Sequence, residues 1–219
     1  MASKLPTRDY ENELFALGYD YILGVDEVGR GCIAGNVTIG MVLVTPEMPP
    51  WPVNLKDSKL VPEKKRQALS DETWEWIMFG AIGNASADEI ESLGINVAQR
   101  LAGERAYEKI VNTLKQANIE LSVEKGIVIL DGSVDWLSKG MPAGLKVVTK
   151  VKADQDCVGV SAASIIAKVA RDNVMIELSK DHPEYAWNEN KGYGSAGHYA
   201  AIKEHGMIKG IHRESWIKL

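Results

Sequence analysis

Four acidic side chains occupy comparable places in this chain. Asp26 and Glu27 close the apolar run 21–25, Asp131 closes the run 127–130, and Asp154 follows the run 145–151 through Lys152-Ala153. An apolar run that stops at a carboxylate is the pattern of a core strand with a charge at its end. Such a charge is costly to bury unless a cation or hydrogen bonds hold it. Several acids converging from strand ends make a hard-oxygen donor set suited to Mg²⁺ or Mn²⁺ rather than zinc. With a substrate phosphate as a further ligand, two such ions about 3.5–4 Å apart activate water and stabilise a leaving oxygen. Gly29-Arg30-Gly31 follows the first acid pair at once, and glycines flanking the arginine let the backbone come close to a phosphate or sugar.

Taken singly, each of these residues has a plainer reading. Asp131-Gly132 is also a turn dipeptide. Asp154 is also a loop residue ahead of a helix, with Asp156 competing for the metal role, and Asp135 and Asp172 read as surface charges. Asp57-Ser58-Lys59 reads either as a phosphate-orienting turn or as a turn capped by its own side chain. Lys146, Lys150 and Lys152 share one face of a period-2 strand that Asp154 continues, facing either backbone phosphates or solvent. His198, His205 and His212 stand seven apart without a second ligand at helical spacing, so they read as surface or hydrogen-bonded residues. The joint placement of the acids beside Asp26-Glu27 favours the metal reading.

The elements that must position these residues follow from periodicity and punctuation. Residues 1–18 read as a loose arm or short helix, 21–25 and 37–44 as strands joined tightly enough to pair antiparallel. The proline-rich stretch 46–52 is a loop, residues 62–70 a helix opening on proline, and 76–81 a third strand. Ser86 followed by Glu89 has capping-box spacing, which starts a helix extending to about residue 114 with Gly94 and Gly103 as weak points. Residues 126–130 form a strand covered on both faces, 145–151 another strand, 158–178 a closely packed helix, and 198–205 a helix in a more polar tail. The expected architecture is an α/β mixed sheet with helices on its faces. It divides into an arm (1–18), a catalytic domain (19–178) and a C-terminal helical extension (179–219) packed on the same domain.

A chain of 219 residues with 45% apolar content can bury a full core. No membrane-spanning run or secretory leader is visible, and two cysteines without CxxC spacing suit a reducing compartment. A cytoplasmic monomer is the expectation. The net charge of −5 is unevenly spread. Residues 1–138 hold 13 Lys and Arg against 21 Asp and Glu, whereas residues 139–219 hold 12 against 9 and all four histidines. That asymmetry allows a basic face for a polyanion beside an acidic metal pocket.

The strings GVDEVGRGCIAG, DSKLVPEKKR, VILDG, KAD, SAASIIAKVARD, KGYG and HRESW resemble, in order and over nearly the whole chain, the motifs of the ribonuclease HII family, the bacterial and archaeal type 2 RNase H. The resemblance implies an RNase H-like five-stranded fold. It also implies metal-dependent hydrolysis of RNA in RNA–DNA hybrids and at single ribonucleotides in duplex DNA, 5′ of the ribonucleotide, leaving 3′-hydroxyl and 5′-phosphate ends. On the matching motifs, Asp26, Glu27, Asp131 and Asp154 become the catalytic acids and ligands of Mg²⁺ or Mn²⁺. Gly29, Arg30 and Gly31 become contacts to the ribonucleotide and its 2′-hydroxyl, Tyr193 a contact to the sugar on the DNA side, and Lys59 a substrate-binding residue. Ser195 replaces the family's usual threonine, Trp216 its phenylalanine, and Met207–Gly210 a proline-containing link. No clamp-binding tail or type 3 N-terminal domain is expected. The competing readings are an RNase H-like DNA nuclease or resolvase, against which the 2′-hydroxyl contacts count, and a non-catalytic binding module, which has no need of four strand-end acids.

Overall fold

The structure is a computed structural model that describes residues 5–218. Helix α1 (Asp9–Ala16) precedes strands β1 (Tyr21–Val28) and β2 (Val37–Val44), helix α2 (Glu63–Trp76) and strand β3 (Phe79–Ala85). Helices α3 (Ala87–Leu93) and α4 (Ile95–Gln116) lead to the strands β4 (Gly126–Asp131) and β5 (Lys146–Lys150). A single turn, α5 (Ala153–Asp156), opens the long helix α6 (Val158–Asp181), and α7 (Trp187–Asn190) and α8 (Ala196–His205) complete the chain. The sheet order is β3-β2-β1-β4-β5, with β1, β2 and β3 antiparallel and β1, β4 and β5 parallel. This is the expected mixed five-stranded sheet.

Both faces of the sheet are covered, so the central strands are apolar on both sides. Leu23, Val25, Ile39 and Met41 pack with Ala98, Ala102, Ala106 and Ile110 of α4. On the opposite face, Ile22, Val42, Ile127 and Ile129 pack with Val160, Ala163 and Ile166 of α6. A smaller cluster of Ile33, Met175, Tyr185, Trp187 and Ile202 fastens the C-terminal segment beneath the Gly29–Gly35 loop.

Several local expectations are corrected. The third strand begins at Phe79, because α2 runs on to Trp76. The predicted long helix is two helices: Gly94, at φ 77°, ends α3 and starts α4. The capping box forms as expected, with Ser86 accepting the Glu89 N–H and Glu89 accepting the Ser86 N–H. Gly103 remains inside α4, where a Cβ would meet Leu137 at 2.4 Å. Residues 1–4 of the expected arm lie outside the described residues, but α1 is packed rather than loose. Glu11 is fully buried there and accepts the Gly159 N–H of α6.

Candidate active site

The register of two parallel strands creates the centre of the site. Gly24 pairs with Ile129 and Val25 with Leu130, so Asp26 and Asp131 stand side by side one step further along, Asp131 at the end of β4 but Asp26 inside β1, which runs on to Val28 instead of stopping at Val25 as expected. Alternation places them on the α6 face with Ile22 and Ile127, and turns Glu27 towards the α4 face. Asp26 is buried, and its Oδ1 accepts the Glu27 N–H at 2.8 Å. Burial first, then the charges of Glu27 and Asp131, push its pKa well above the usual carboxylate value; a Ser164 hydrogen bond and Lys59 offset part of that rise. Burial and then Asp131 also raise Glu27, whose Oε2 is buried without a hydrogen-bond partner.

Asp154 arrives by another route. Lys152, in the left-handed conformation at φ 61°, ends the extended run and turns the chain into α5. The predicted continuous face through Lys146, Lys150, Lys152 and Asp154 therefore does not exist. Lys146 and Lys150 lie over the rings of Tyr19 and Tyr10. Lys150 also pairs with Asp156 at 3.1 Å, which draws that acid away from the competition with Asp154. The Asp154 N–H donates to Asp131 Oδ1 at 3.3 Å, and its backbone carbonyl accepts the Ser161 hydroxyl at 2.6 Å. Burial, then Asp131 and Asp57, raise the Asp154 carboxyl to about 6.

Lys59 joins the acids from the other side, its Nζ 3.4 Å from Asp154 Oδ2. The turn is capped by its own side chain, with Asp57 Oδ1 accepting the Lys59 N–H at 2.9 Å, and Ser58 Oγ meets Ser164 Oγ at 3.0 Å. Burial works against the Lys59 ammonium, yet Asp26, Asp57 and Asp154 outweigh it and hold its pKa above the ordinary lysine value. Among the described residues, no three Asp, Glu, His or Cys side chains close on a single ion-sized point. The donors are gathered but not drawn in, with Lys59 the cation among them. Their chemistry nevertheless fits a hard divalent cation: a buried Asp26 crowded by the charges of Glu27 and Asp131, and a buried Glu27 oxygen left without a donor.

A cleft of about 390 Å³ joins Asp26, Glu27 and Lys59 to the Gly29–Gly31 turn and to Tyr193, with Arg66 and Lys168 along its edge. Arg30 reaches Asn96 Oδ1 at 3.3 Å. The Tyr193 ring is 44% exposed, with Lys168 Nζ 5.8 Å from its centroid. An apolar cavity of about 320 Å³ between α4 and the sheet, lined in part by Tyr21, Leu43 and Leu114, includes none of the four acids.

Several contributors escaped the sequence reading. Asp172, expected at the surface, is buried; it binds Lys168 at 2.8 Å and Arg66 at 3.8 Å, fixing two cations of the cleft edge. Arg171 and Arg213 are fully buried, and their hydrogen bonds end on main-chain carbonyls of the 29–36 loop and of Lys191. Both lie within recognised motif strings, but only their partners, up to 184 positions away, disclose what they do. His198 and His212 are buried and bonded through Nε2 at 3.2 Å. The Ile208 N–H occupies His212 Nδ1 and the Trp187 indole N–H occupies His198 Nε2, so His198 Nδ1–H is left to hold the Tyr193 carbonyl at 2.9 Å.

Comparison with known proteins gives the family and the fold. The family model described as Ribonuclease HII matches residues 23–219. Ribonuclease HII of Streptomyces avermitilis is 43% identical over 215 residues, covering 98% of this chain and 84% of that protein. The solved ribonuclease H2 of Pyrococcus horikoshii OT3 superposes with a TM-score of 0.66 at 24% identity, over 90% of this chain and 93% of that one. Bst-RNase HIII in complex with Mn²⁺ superposes with a TM-score of 0.68 at 20% identity, over 91% of this chain and 68% of that one. At those identities the two structures speak for the fold alone. The family match and the near full-length relative carry the assignment: this chain belongs to the ribonuclease HII family of hydrolytic endoribonucleases.

Proposed function

We propose that this protein cleaves the RNA strand of RNA–DNA hybrids and nicks duplex DNA at single embedded ribonucleotides, on their 5′ side, leaving 3′-hydroxyl and 5′-phosphate ends. The observation that carries the reading is the meeting of Asp26 and Asp131 on neighbouring parallel strands, with the Asp154 N–H on Asp131, beside a cleft that also holds Gly29–Gly31 and Tyr193.

Asp26, Glu27, Asp131 and Asp154 are the residues that would hold one or two Mg²⁺ or Mn²⁺ ions, which when bound supply Lewis-acid activation of water and of the scissile phosphodiester. The chain's own groups do the rest. Burial keeps the carboxylates dry and mutually repelling, so that a cation is favoured among them. Lys59, Arg66 and Lys168 meet the phosphates along the cleft and hold the backbone in register. The Gly29–Gly31 main chain reads the ribose 2′-hydroxyl, the group that separates RNA from DNA. Tyr193 lies against the neighbouring deoxyribose, which lacks that hydroxyl and accepts an aromatic ring.

The deciding experiment incubates the protein with Mg²⁺ or Mn²⁺ and a DNA duplex carrying one ribonucleotide, beside an all-DNA duplex. Nicking 5′ of the ribonucleotide alone is the expected result. Cutting of both duplexes would indicate a DNA nuclease, and binding without cutting a non-catalytic module.

A further inference from the structure

Two fully buried arginines, Arg171 and Arg213, stand behind the cleft with their charges directed at main-chain oxygens. Arg213 donates through Nη2 to the carbonyls of Gly29 at 2.7 Å, Gly35 at 3.0 Å and Asn36 at 3.1 Å, through Nη1 to Arg30 at 3.0 Å, and through Nε to Gly35 at 3.1 Å. Arg171 donates to Asn36 at 2.9 Å, Ala34 at 3.0 Å and Lys191 at 2.8 Å. Desolvating a guanidinium costs several kcal/mol, and a surface loop that only had to close would not need two.

What the arginines fix is direction and spacing. In a trans peptide the C=O and the following N–H point opposite ways. Drawing the Gly29 and Arg30 carbonyls inward therefore turns the Arg30 and Gly31 N–H groups away from Arg213, towards the cleft. Arg171 spans two loops: its guanidinium underlies Gly29, where a Cβ would stand 2.0 Å from Nε, and also grips the carbonyl of Lys191, two residues before Tyr193. The loops are further stitched together where the Ile33 and Ala34 N–H groups donate to the Gly192 carbonyl at 2.9 and 3.2 Å. That contact is close enough that a Cβ on Gly192 would lie 2.6 Å from the Ala34 oxygen.

We propose that Arg171 and Arg213 are positioning residues that set the distance between the ribose-reading turn at Gly29–Gly31 and the deoxyribose-reading ring of Tyr193, and thereby select the RNA-to-DNA step at which the chain cuts. The proposal rests on the substrate reading given above. A single ribonucleotide demands both readers at once, one nucleotide apart. A continuous hybrid does not, because a displaced turn still finds a 2′-hydroxyl on every nucleotide of the RNA strand.

The test is Arg171→Lys, which keeps the charge but loses the fork. Single-turnover cleavage is measured on a single-ribonucleotide duplex and on a continuous hybrid, with duplex affinity and thermal unfolding followed in parallel. The expected result is cooperative unfolding, near-native affinity, and a rate loss at least tenfold greater on the single-ribonucleotide duplex than on the hybrid. Equal losses on both substrates, or none, overturn the proposal, since a purely structural role scales both rates together. If Arg171→Lys does not fold, Arg213→Lys carries the same comparison; if neither folds, the arginines serve the fold and the proposal falls. A wild-type protein that cuts hybrids but never single ribonucleotides removes this inference and the single-ribonucleotide half of the substrate reading, and leaves hybrid cleavage standing. One that cuts neither removes the substrate reading with it.

Discussion

Gly24 of β1 and Gly159 of α6 meet backbone to backbone: a Cβ on Gly24 would stand 2.4 Å from the Gly159 carbonyl carbon. Gly24 precedes Asp26 by two residues on the same face of the strand, and Gly159 follows Asp154 in the next helix. Their contact lets the helix lie directly on the strand that carries the acid pair. Gly40 of β2 extends the same seam, where a Cβ would lie 2.2 Å from the Ala163 oxygen.

Gly24→Ala is therefore expected to destabilise the fold by about 1–3 kcal/mol, the usual cost of overpacking, because the obstruction is helix backbone rather than a side chain that can swing aside. Urea unfolding measures it. An unchanged midpoint would show that α6 can retreat from the sheet freely.

Asp131→Asn is expected to abolish cleavage while duplex binding stays within a few fold, because the change leaves in place Lys59, Arg66 and Lys168, the cleft cations proposed to meet phosphate. Saturating Mg²⁺ or Mn²⁺ should raise the melting temperature of the wild type by mass action and raise that of the variant less. Undiminished turnover in the variant would remove Asp131 from the chemistry.

The acids were legible because an apolar run that stops at a carboxylate leaves a trace in one dimension, even though β1 itself runs past Asp26 and Glu27 to Val28. Asp26, Glu27 and Asp131 needed only that trace and the parallel register to meet. Asp154 was legible as a residue but not as a geometry: the left-handed turn at Lys152 replaced a strand face with a one-turn helix, and nothing local to a lysine foretells positive φ. The start of β3 was misplaced because Trp74, Trp76 and Ile77 are as compatible with the end of a helix as with a strand. Asp172 looked exposed because Arg66 reaches it only once α2 packs on α6, although its i,i+4 partner Lys168 stands on the same helix. Arg171 and Arg213 were hidden for the same reason, since main-chain carbonyls carry no sequence signature.

Tyr193→Ala is expected to weaken the preference for RNA–DNA junctions by about tenfold, the scale of one aromatic stacking contact on a nucleotide, with a smaller effect on continuous hybrids. The backbone at this position should survive the change, since it is His198 that holds the Tyr193 carbonyl, independent of the ring. Equal losses on the two substrates would count against a sugar-reading ring.

The response of stability to pH should contain opposing contributions. Burial raises Glu11 from 4.5 to about 7, so between those values the folded chain retains a proton that the unfolded chain has released. That contribution is complete below about 4.5 and is lost as pH rises through 7. Burial lowers His212 from 6.5 to about 4, so there the unfolded chain takes up a proton that the folded chain refuses. That contribution is complete above 6.5 and is lost as pH falls towards 4. Each shift is worth on the order of 3 kcal/mol, and over pH 4.5–6.5 they run in opposite directions, with the raised carboxyls of Asp26, Glu27 and Asp154 acting in the same sense as Glu11. Glu11→Gln keeps an acceptor for the Gly159 N–H but has no proton to lose. It should remove the Glu11 contribution, so that the stability of the variant relative to the wild type rises from pH 4.5 to 7 in urea unfolding. A variant curve that merely runs parallel to that of the wild type would mean that Glu11 does not change protonation between the folded and unfolded chains.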